Sequence, residues 1–415
     1  MTFTYVPIAS ILTSTLDQER LLGPYRPGLA ACGAVCGDPQ QPARWSTPVF
    51  FLLTGGTEAA TLAAWQAYRE RHPRAGLLLL AHPTHNALPA ALETLARAQQ
   101  EGAPGRIVYL NGPQDAAGWQ ALRTAQADFA AWEKLNATRL GLVGKPSEWL
   151  VASSPSPEAI RAVWGPQVVP LELETLLAQF DTLAAPDLAE ALADLTRGVQ
   201  VIAEPDARAL EDAARVYVAL AALARAQGLD ALTLRCFDLV LRRKTTGCYA
   251  LARLTETGLI SGCEGDLVST LAMLWTALLL EQTPWMANPA RVNAARNALV
   301  LAHCTVVRTL TRQHSLRSHF ESGQGVGLQG TLPTGPVTLV RLGGTDLRSL
   351  WLAEGTLIPT AQDEALCRTQ AEIELNPPYT VTELLAHPLG NHLVLIRGQH
   401  AERLRAWHRT FIGTA

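Results

Sequence analysis

The feature that most constrains this chain is an alternation, through its first third, of short and largely apolar runs with Ala-rich helical stretches. Pro48-Val-Phe-Phe-Leu-Leu53, Leu77–Ala81 and Arg106-Ile-Val-Tyr-Leu110 have strand length, and each ends in a polar loop. The loops are Thr54-Gly-Gly-Thr-Glu58, His82-Pro-Thr-His-Asn86 and Asn111-Gly-Pro113, and Glu58–Arg71 reads as helix. Repeated strand–loop–helix units of this kind imply a parallel sheet covered on both faces. The pattern restarts at Arg139–Val143, with the exit loop Gly144-Lys-Pro-Ser-Glu148 and a further strand at Gln167–Leu171. A boundary between Ala127 and Arg139 is expected, because 415 residues are too many for one core. From about Gln324 the texture changes to short β-like runs, Val326–Gly330, Val337–Arg341 and Ile373–Leu375, punctuated by Gly and Pro. That stretch predicts an antiparallel sheet or small barrel.

Charge and apolar patterning narrow the partners. The formal net charge is −3 and no block of Lys or Arg stands out. A nucleic-acid or acidic-membrane partner needs a concentrated basic surface, so neither is expected. The first residues lack a basic segment ahead of their apolar ones, and so do not read as a secretory signal. The longest uncharged apolar stretch, Leu267–Leu280, is too short to span a bilayer and reads as a buried helix. A cytoplasmic location is the expectation. Seven cysteines, an odd number widely spread, do not suggest a disulfide framework. Cys32 and Cys36 have no second close pair to complete a zinc site, so most thiols are expected to be small buried side chains.

Polar clusters concentrate between Arg235 and His392. In Gly262-Cys-Glu-Gly-Asp266, Glu264 and Asp266 stand just ahead of the apolar helix, where a helix N-terminus favours negative charge. The plain reading is that Asp266 is an N-cap. The functional reading is that carboxylates emerging from an apolar frame suit a divalent metal or general-base chemistry. His303 ends the run Ala298–Ala302 and His392 opens Leu393–Ile396, each at the tip of a buried strand. His319 and Glu321 share a face if their segment is extended. Thr54, Gly55 and Gly56 follow a strand, where α/β proteins bind ligands, but lack the dinucleotide fingerprint. They read as a sugar or oxyanion loop, or otherwise as a tight turn.

Taken together, these strings resemble the L-fucose/L-arabinose isomerase superfamily, most closely its smaller fucose-isomerase-like members. The resemblance is carried by TGGTE (54–58), LRCFDL (234–239), TTGC (245–248), GCEGD (262–266), MANP (286–289), AHCT (302–305), HFESGQGV (319–326), CRTQ (367–370) and PLGNH (388–392). It implies an α/β chain in three parts. Residues 1–135 and 136–318 are Rossmann-like parallel-sheet domains, and 319–415 is an antiparallel β-rich, barrel-like domain. It also implies aldose–ketose isomerisation with Mn²⁺ or another divalent cation, a small sugar substrate, and a trimer or hexamer with interface active sites. By position the metal ligands fall on Asp266 (or Glu264) and His392. The family's other carboxylate falls upstream, in the basic run Leu241-Arg-Arg-Lys244, with Asp238 the nearest acid before it.

Ketol isomerisation moves a proton between C1 and C2 through an enediolate, which a chelating divalent metal stabilises. Carboxylates must then carry protons. On this expectation Glu264, Asp266 and His392 ligate the metal, and Glu264, Asp266 and Asp238 are the catalytic carboxylates, with Glu264 or Asp238 as base. His303, His319, Glu321, Arg368, Asn391 and the loop Thr54–Gly56 hold substrate. Arg242 is suited to an anionic group such as phosphate, sulfonate or carboxylate. Two alternatives stay open: an epimerase or lyase sharing the enediolate, and a sugar- or anion-binding protein whose metal site is degenerate.

Overall fold

The computed structural model describes residues 2–413 and divides into two compact units, residues 2–136 with Ala406–Gly413, and Ala137–Arg405. In the first unit β1 (Phe3–Ile8), β2 (Ala34–Cys36), β3 (Val49–Leu52), β4 (Leu77–Ala81) and β5 (Gly105–Tyr109) form one sheet in the order β2-β1-β3-β4-β5. All of its pairings are parallel. β3 and β4 are buried at every residue because helices cover both faces, which is why they read as unbroken apolar runs rather than as alternating ones. The unit closes on Trp407 and Phe411, whose rings lie 6.1 and 5.5 Å from that of Trp132.

The second unit is layered. β6 (Arg139–Val143), β7 (Gln167–Leu171), β9 (Ala231–Leu234) and β10 (Ile260–Cys263) make a parallel sheet in the order β10-β9-β6-β7; β8 (Val199–Ile202) lies outside it. Behind this sheet packs the helix Leu267–Leu280, apolar nearly all round and correspondingly buried. β11 (Trp285–Asn293) and β12 (Ala298–His303) lead towards a barrel, and β13 (Gln313–Arg317) and β14 (Gly327–Thr331) join β8 in a small sheet. β15 (Gly335–Gly343), β16 (Ser349–Ile358), β17 (Thr369–Leu375) and β18 (Leu393–Arg397) complete the barrel, closed in the order β11-β12-β17-β16-β15-β18. Its interior is filled by alternate residues, among them Trp285, Leu301, Leu339, Ile373, Leu393 and Leu395. The α/β class with two parallel sheets and an antiparallel barrel is therefore present.

Two local expectations change. The barrel takes its first two strands from residues 285–303, ahead of the stretch where Gly and Pro become frequent. The segment from His319 to Gly325 is a turn rather than an extended run, closed by bonds from His319 N to Gln324 O and from Gly323 N to His319 O. Gly323 and Gly325, both at positive φ, make that turn accessible. Five of the cysteines are buried, in keeping with their reading as small core residues; Cys36 is exposed and Cys367 half-buried.

Candidate metal centre

The end of β10, the start of the helix Leu267–Leu280, the end of β12 and the start of β18 converge in the second unit. Glu264 leaves β10 in the left-handed region (φ 63°), followed by Gly265 (φ 70°). A left-handed glutamate is strained by roughly 1–2 kcal/mol, so its surroundings must hold it. The loop after β6 does so: both the backbone N–H and the hydroxyl of Ser147 donate to the Glu264 carbonyl, at 3.0 and 2.9 Å. Gly265 also leaves no room for a side chain, since a Cβ would stand 2.6 Å from the Lys145 carbonyl. Trp149 Nε1 donates to Glu264 Oε2 at 2.6 Å and so orients the carboxylate.

Asp266 caps the helix. Its Oδ1 accepts the Ser269 N–H at 2.8 Å, and its Oδ2 accepts the Ser269 hydroxyl at 2.6 Å. The same Oδ2 lies 2.9 Å from His392 Nδ1. Behind it stands Arg341 of β15, buried with 1% exposure, whose Nη1 is 3.5 Å from Oδ2. Arg341 also donates to Ser269 Oγ at 2.5 Å, to Ser153 Oγ, and to the Leu389 carbonyl at 3.2 Å.

These contacts set the charges. Burial opposes ionisation of Asp266, but the His392 bond and the Arg341 charge outweigh it and hold the carboxyl well below its usual range. Burial likewise opposes a proton on His392, yet the bond to Asp266 and the neighbouring carboxylate of Glu264 raise the ring to about 9. Glu264 is lowered too, its burial outweighed chiefly by His392. Burial, with the charge of His392 beside it, pushes His303 down to about 3.

A divalent cation suits part of this arrangement. Ligand atoms of Glu264, His303 and His392 lie within 4.8 Å of one another. His392 Nε2 is buried without a hydrogen-bond partner and sits 3.5 Å from Glu264 Oε1, long for a hydrogen bond. A histidine tied through one nitrogen to a carboxylate and orphaned at the other is how metal-ligating histidines are commonly held. Imidazole and carboxylate donors together fit Mn²⁺, Fe²⁺ or Zn²⁺.

The other expected residues are arranged as follows. Phe237 stands edge-on to Trp149 at 4.9 Å and to His319 at 5.6 Å, making an aromatic wall beside Glu264. His319 Nδ1 lies 3.1 Å from Ser322 Oγ. Burial and the charge of Glu264 raise the Glu321 carboxyl. Arg368 is committed to Ser318, through Nε to its carbonyl (2.8 Å) and Nη2 to its hydroxyl (3.2 Å), and so pins the turn. Asp238 accepts from Arg235 Nε at 2.8 Å and is not a member of the cluster. Arg242 is paired with Glu174 on an exposed helix end, and Asn391 is exposed. Asp266 stands one bond behind the cluster rather than in it. Thr54, Gly55 and Gly56 belong to the first unit, where Thr54 Oγ1 accepts the Ser10 N–H at 2.8 Å and Gly55 N donates to the His85 carbonyl.

Sequence reasoning missed Arg341, Trp149, Ser269, Ser153 and Phe237. Arg341 did carry a signal, since a lone guanidinium in the apolar run Val337–Leu342 demands a buried anion or several carbonyls.

No protein-family model matches the chain. It is similar to a sulfoquinovose isomerase of Alkalicoccus urumqiensis, 28% identical over 199 residues, which are 45% of this chain and 43% of that protein. It is also similar to the sulfoquinovose isomerases of Priestia aryabhattai and Priestia megaterium, each 24% identical over 187 residues, 43% of this chain and 42% of theirs. The matched stretch is thus less than half of each relative. Among the described residues no helix is long and apolar enough to cross a membrane.

Proposed function

We propose that this chain is an aldose–ketose isomerase of the L-fucose/L-arabinose isomerase superfamily, dependent on a divalent cation that Glu264 and His392 hold. The observation that carries the reading is the buried His392, with Nδ1 bonded to Asp266 and Nε2 left without a partner beside Glu264. The names of the partial relatives support a sugar substrate and make sulfoquinovose, a sulfonated hexose, the first one to try. When bound, the cation would withdraw charge from the two substrate oxygens and so stabilise an enediolate.

The protein's own groups do the rest. Asp266 fixes the His392 ring and keeps Nε2 turned to the site. Trp149 fixes the Glu264 carboxylate. Glu321, with its raised carboxyl close enough to feel the charge of Glu264, is suited to taking the proton from one carbon and returning it to the other. Phe237 and Trp149 form an apolar wall that shields the site from water on one side. Assembly as a trimer or hexamer in the cytoplasm belongs to the same reading, and sedimentation of the purified chain tests the assembly.

The test is to incubate the metal-loaded chain with sulfoquinovose in D₂O and follow by NMR both the ketose product and deuterium entering at its C1. Turnover that is Mn²⁺-dependent and lost in Glu264→Gln and His392→Ala supports the proposal. Tight Mn²⁺ binding that survives both substitutions refutes the metal assignment.

A further inference from the structure

We infer that His303 is a fixed hydrogen-bond donor to an oxygen of the bound sugar, and not a third ligand of the cation. The inference deepens the isomerase reading and rests on it.

The geometry decides which nitrogen carries the proton. The backbone N–H of Thr305 points into His303 Nδ1 at 2.9 Å. A backbone N–H can only donate, so Nδ1 accepts and carries no proton, and the neutral ring holds its proton on Nε2. Such a ring has no free lone pair for a cation. His392 is the reverse case. Its Nδ1 faces a carboxylate that can only accept, so Nδ1 carries the proton and Nε2 offers its lone pair once a cation displaces any second proton. Two neighbouring imidazoles, with centroids 5.9 Å apart, are thus held in opposite tautomers, one a ligand and one a donor.

The peptide that imposes this tautomer cannot turn away. The Thr305 carbonyl accepts Trp285 Nε1–H at 2.7 Å, and the Cys304 carbonyl accepts the Leu328 N–H at 2.9 Å. His303 ends β12 inside the barrel wall with 4% exposure, so its ring is held by packing as well. Among the described residues no acceptor takes its Nε2–H. A neutral imidazole N–H beside a reacting carbonyl polarises it without giving up its proton, an arrangement already used in enolising enzymes. Membership in a three-residue cluster therefore reflects proximity, and the two histidines divide the work: one meets the cation, the other the substrate.

The tautomer is measurable without metal or substrate, by ¹⁵N–¹H long-range correlation on histidine-labelled full chain, with His303→Asn used to assign the signal. An unprotonated Nδ1 on His303 is expected, and a protonated one overturns the inference. Mn²⁺ binding is then read by EPR on the parent, His303→Asn, His303→Gln, His392→Ala and Glu264→Gln. The expected result is an affinity within about threefold of the parent for both His303 variants and at least about tenfold weaker for the other two. Pulsed EPR of the parent should count one coordinated imidazole. Two imidazoles, or a tenfold loss in His303→Asn, would make His303 a ligand. With sulfoquinovose, kcat/KM should fall at least about tenfold in His303→Asn. It should fall less in His303→Gln, whose amide N–H reaches the place of Nε2. An unchanged value in His303→Asn refutes the donor role. A parent that binds no Mn²⁺ sinks the isomerase reading and this inference together. A parent that binds Mn²⁺ through one imidazole but leaves sulfoquinovose untouched removes only that substrate, and the division between the histidines stands.

Discussion

Exchanging Arg341 for methionine removes a buried cation while keeping most of its volume, and the structure allows the cost to be worked out. The guanidinium lies 3.5 Å from Asp266 Oδ2. With an effective dielectric constant of about 20, the attraction at that distance is 332/(20 × 3.5), or about 5 kcal/mol. Against it stands the desolvation of the guanidinium, itself several kcal/mol, which the methionine variant no longer bears. The variant also strands the Leu389 carbonyl, while the hydroxyls of Ser153 and Ser269 lose a donor. The net loss should be about 3 kcal/mol, at the lower end of the range for breaking a buried pair, because Asp266 keeps His392 and Ser269 as partners. Denaturant unfolding of the second unit's transition measures it. The double variant Asp266→Asn/Arg341→Met should be less destabilised than the sum of the singles by about 1–3 kcal/mol, since neither charge is left alone. A loss below about 1 kcal/mol for Arg341→Met, or strict additivity in the cycle, would show that the two groups do not sustain each other.

Three further outcomes are expected. Because His392 holds a second proton up to about pH 9, a cation must displace it, and Mn²⁺ affinity should strengthen about tenfold per pH unit below 9 and then level off; a flat calorimetric profile between pH 6 and 8 would reject His392 as ligand. Trp149→Phe keeps the aromatic wall but deletes the 2.6 Å bond to Glu264, so Mn²⁺ binding should weaken about tenfold, and an unchanged dissociation constant would refute the orienting role. Gly390→Ala places a methyl group 2.0 Å from Arg341 Nη2 at φ 146°, and should cost at least about 2 kcal/mol in thermal unfolding, while a variant as stable as the parent would contradict the packing.

Much of this was legible in the residues, for reasons that differ from element to element. The helix Leu267–Leu280 announced itself because it is apolar on every face and bounded by Asp266 and Glu281. The strands β3 and β4 did so because full burial removes alternation. Glu264 and His392 stood out as polar residues at the edges of apolar runs. What could not be read is which of them meet. β12 and β18 pair with opposite sides of β11, and only this closure of the barrel brings the rings of His303 and His392 to 5.9 Å. The resemblance put a ligand on Asp266 or Glu264, and the Asp266 oxygens are already engaged by Ser269 and His392. Asp238 and Arg242 sit on a helix whose orientation local sequence does not specify, and there they meet Arg235 and Glu174 instead. The turn at His319–Gly325 hid behind an alternating pattern that two glycines at positive φ override.

Asp266 serves two structures at once, and a single substitution separates them. Its Oδ1 starts a helix and its Oδ2 sets the tautomer of His392. Asparagine caps helices about as well as aspartate, so Asp266→Asn can keep Oδ1 on the Ser269 N–H. Its amide –NH₂ then takes the place of Oδ2 and donates towards His392 Nδ1. That nitrogen must become an acceptor, the ring proton moves to Nε2, and His392 becomes a donor of the kind His303 already is. The lone pair for a cation is gone although every ring stays in place, which parallels the wrong-tautomer effect of the same exchange in a catalytic triad. In the Arg341→Met background, where no buried guanidinium is left unpaired, Asp266→Asn should therefore leave helix content unchanged by circular dichroism. Mn²⁺ affinity should fall by about 100-fold, the upper end of what losing such a partner costs. Binding within threefold of the Arg341→Met parent would mean that the aspartate only caps the helix.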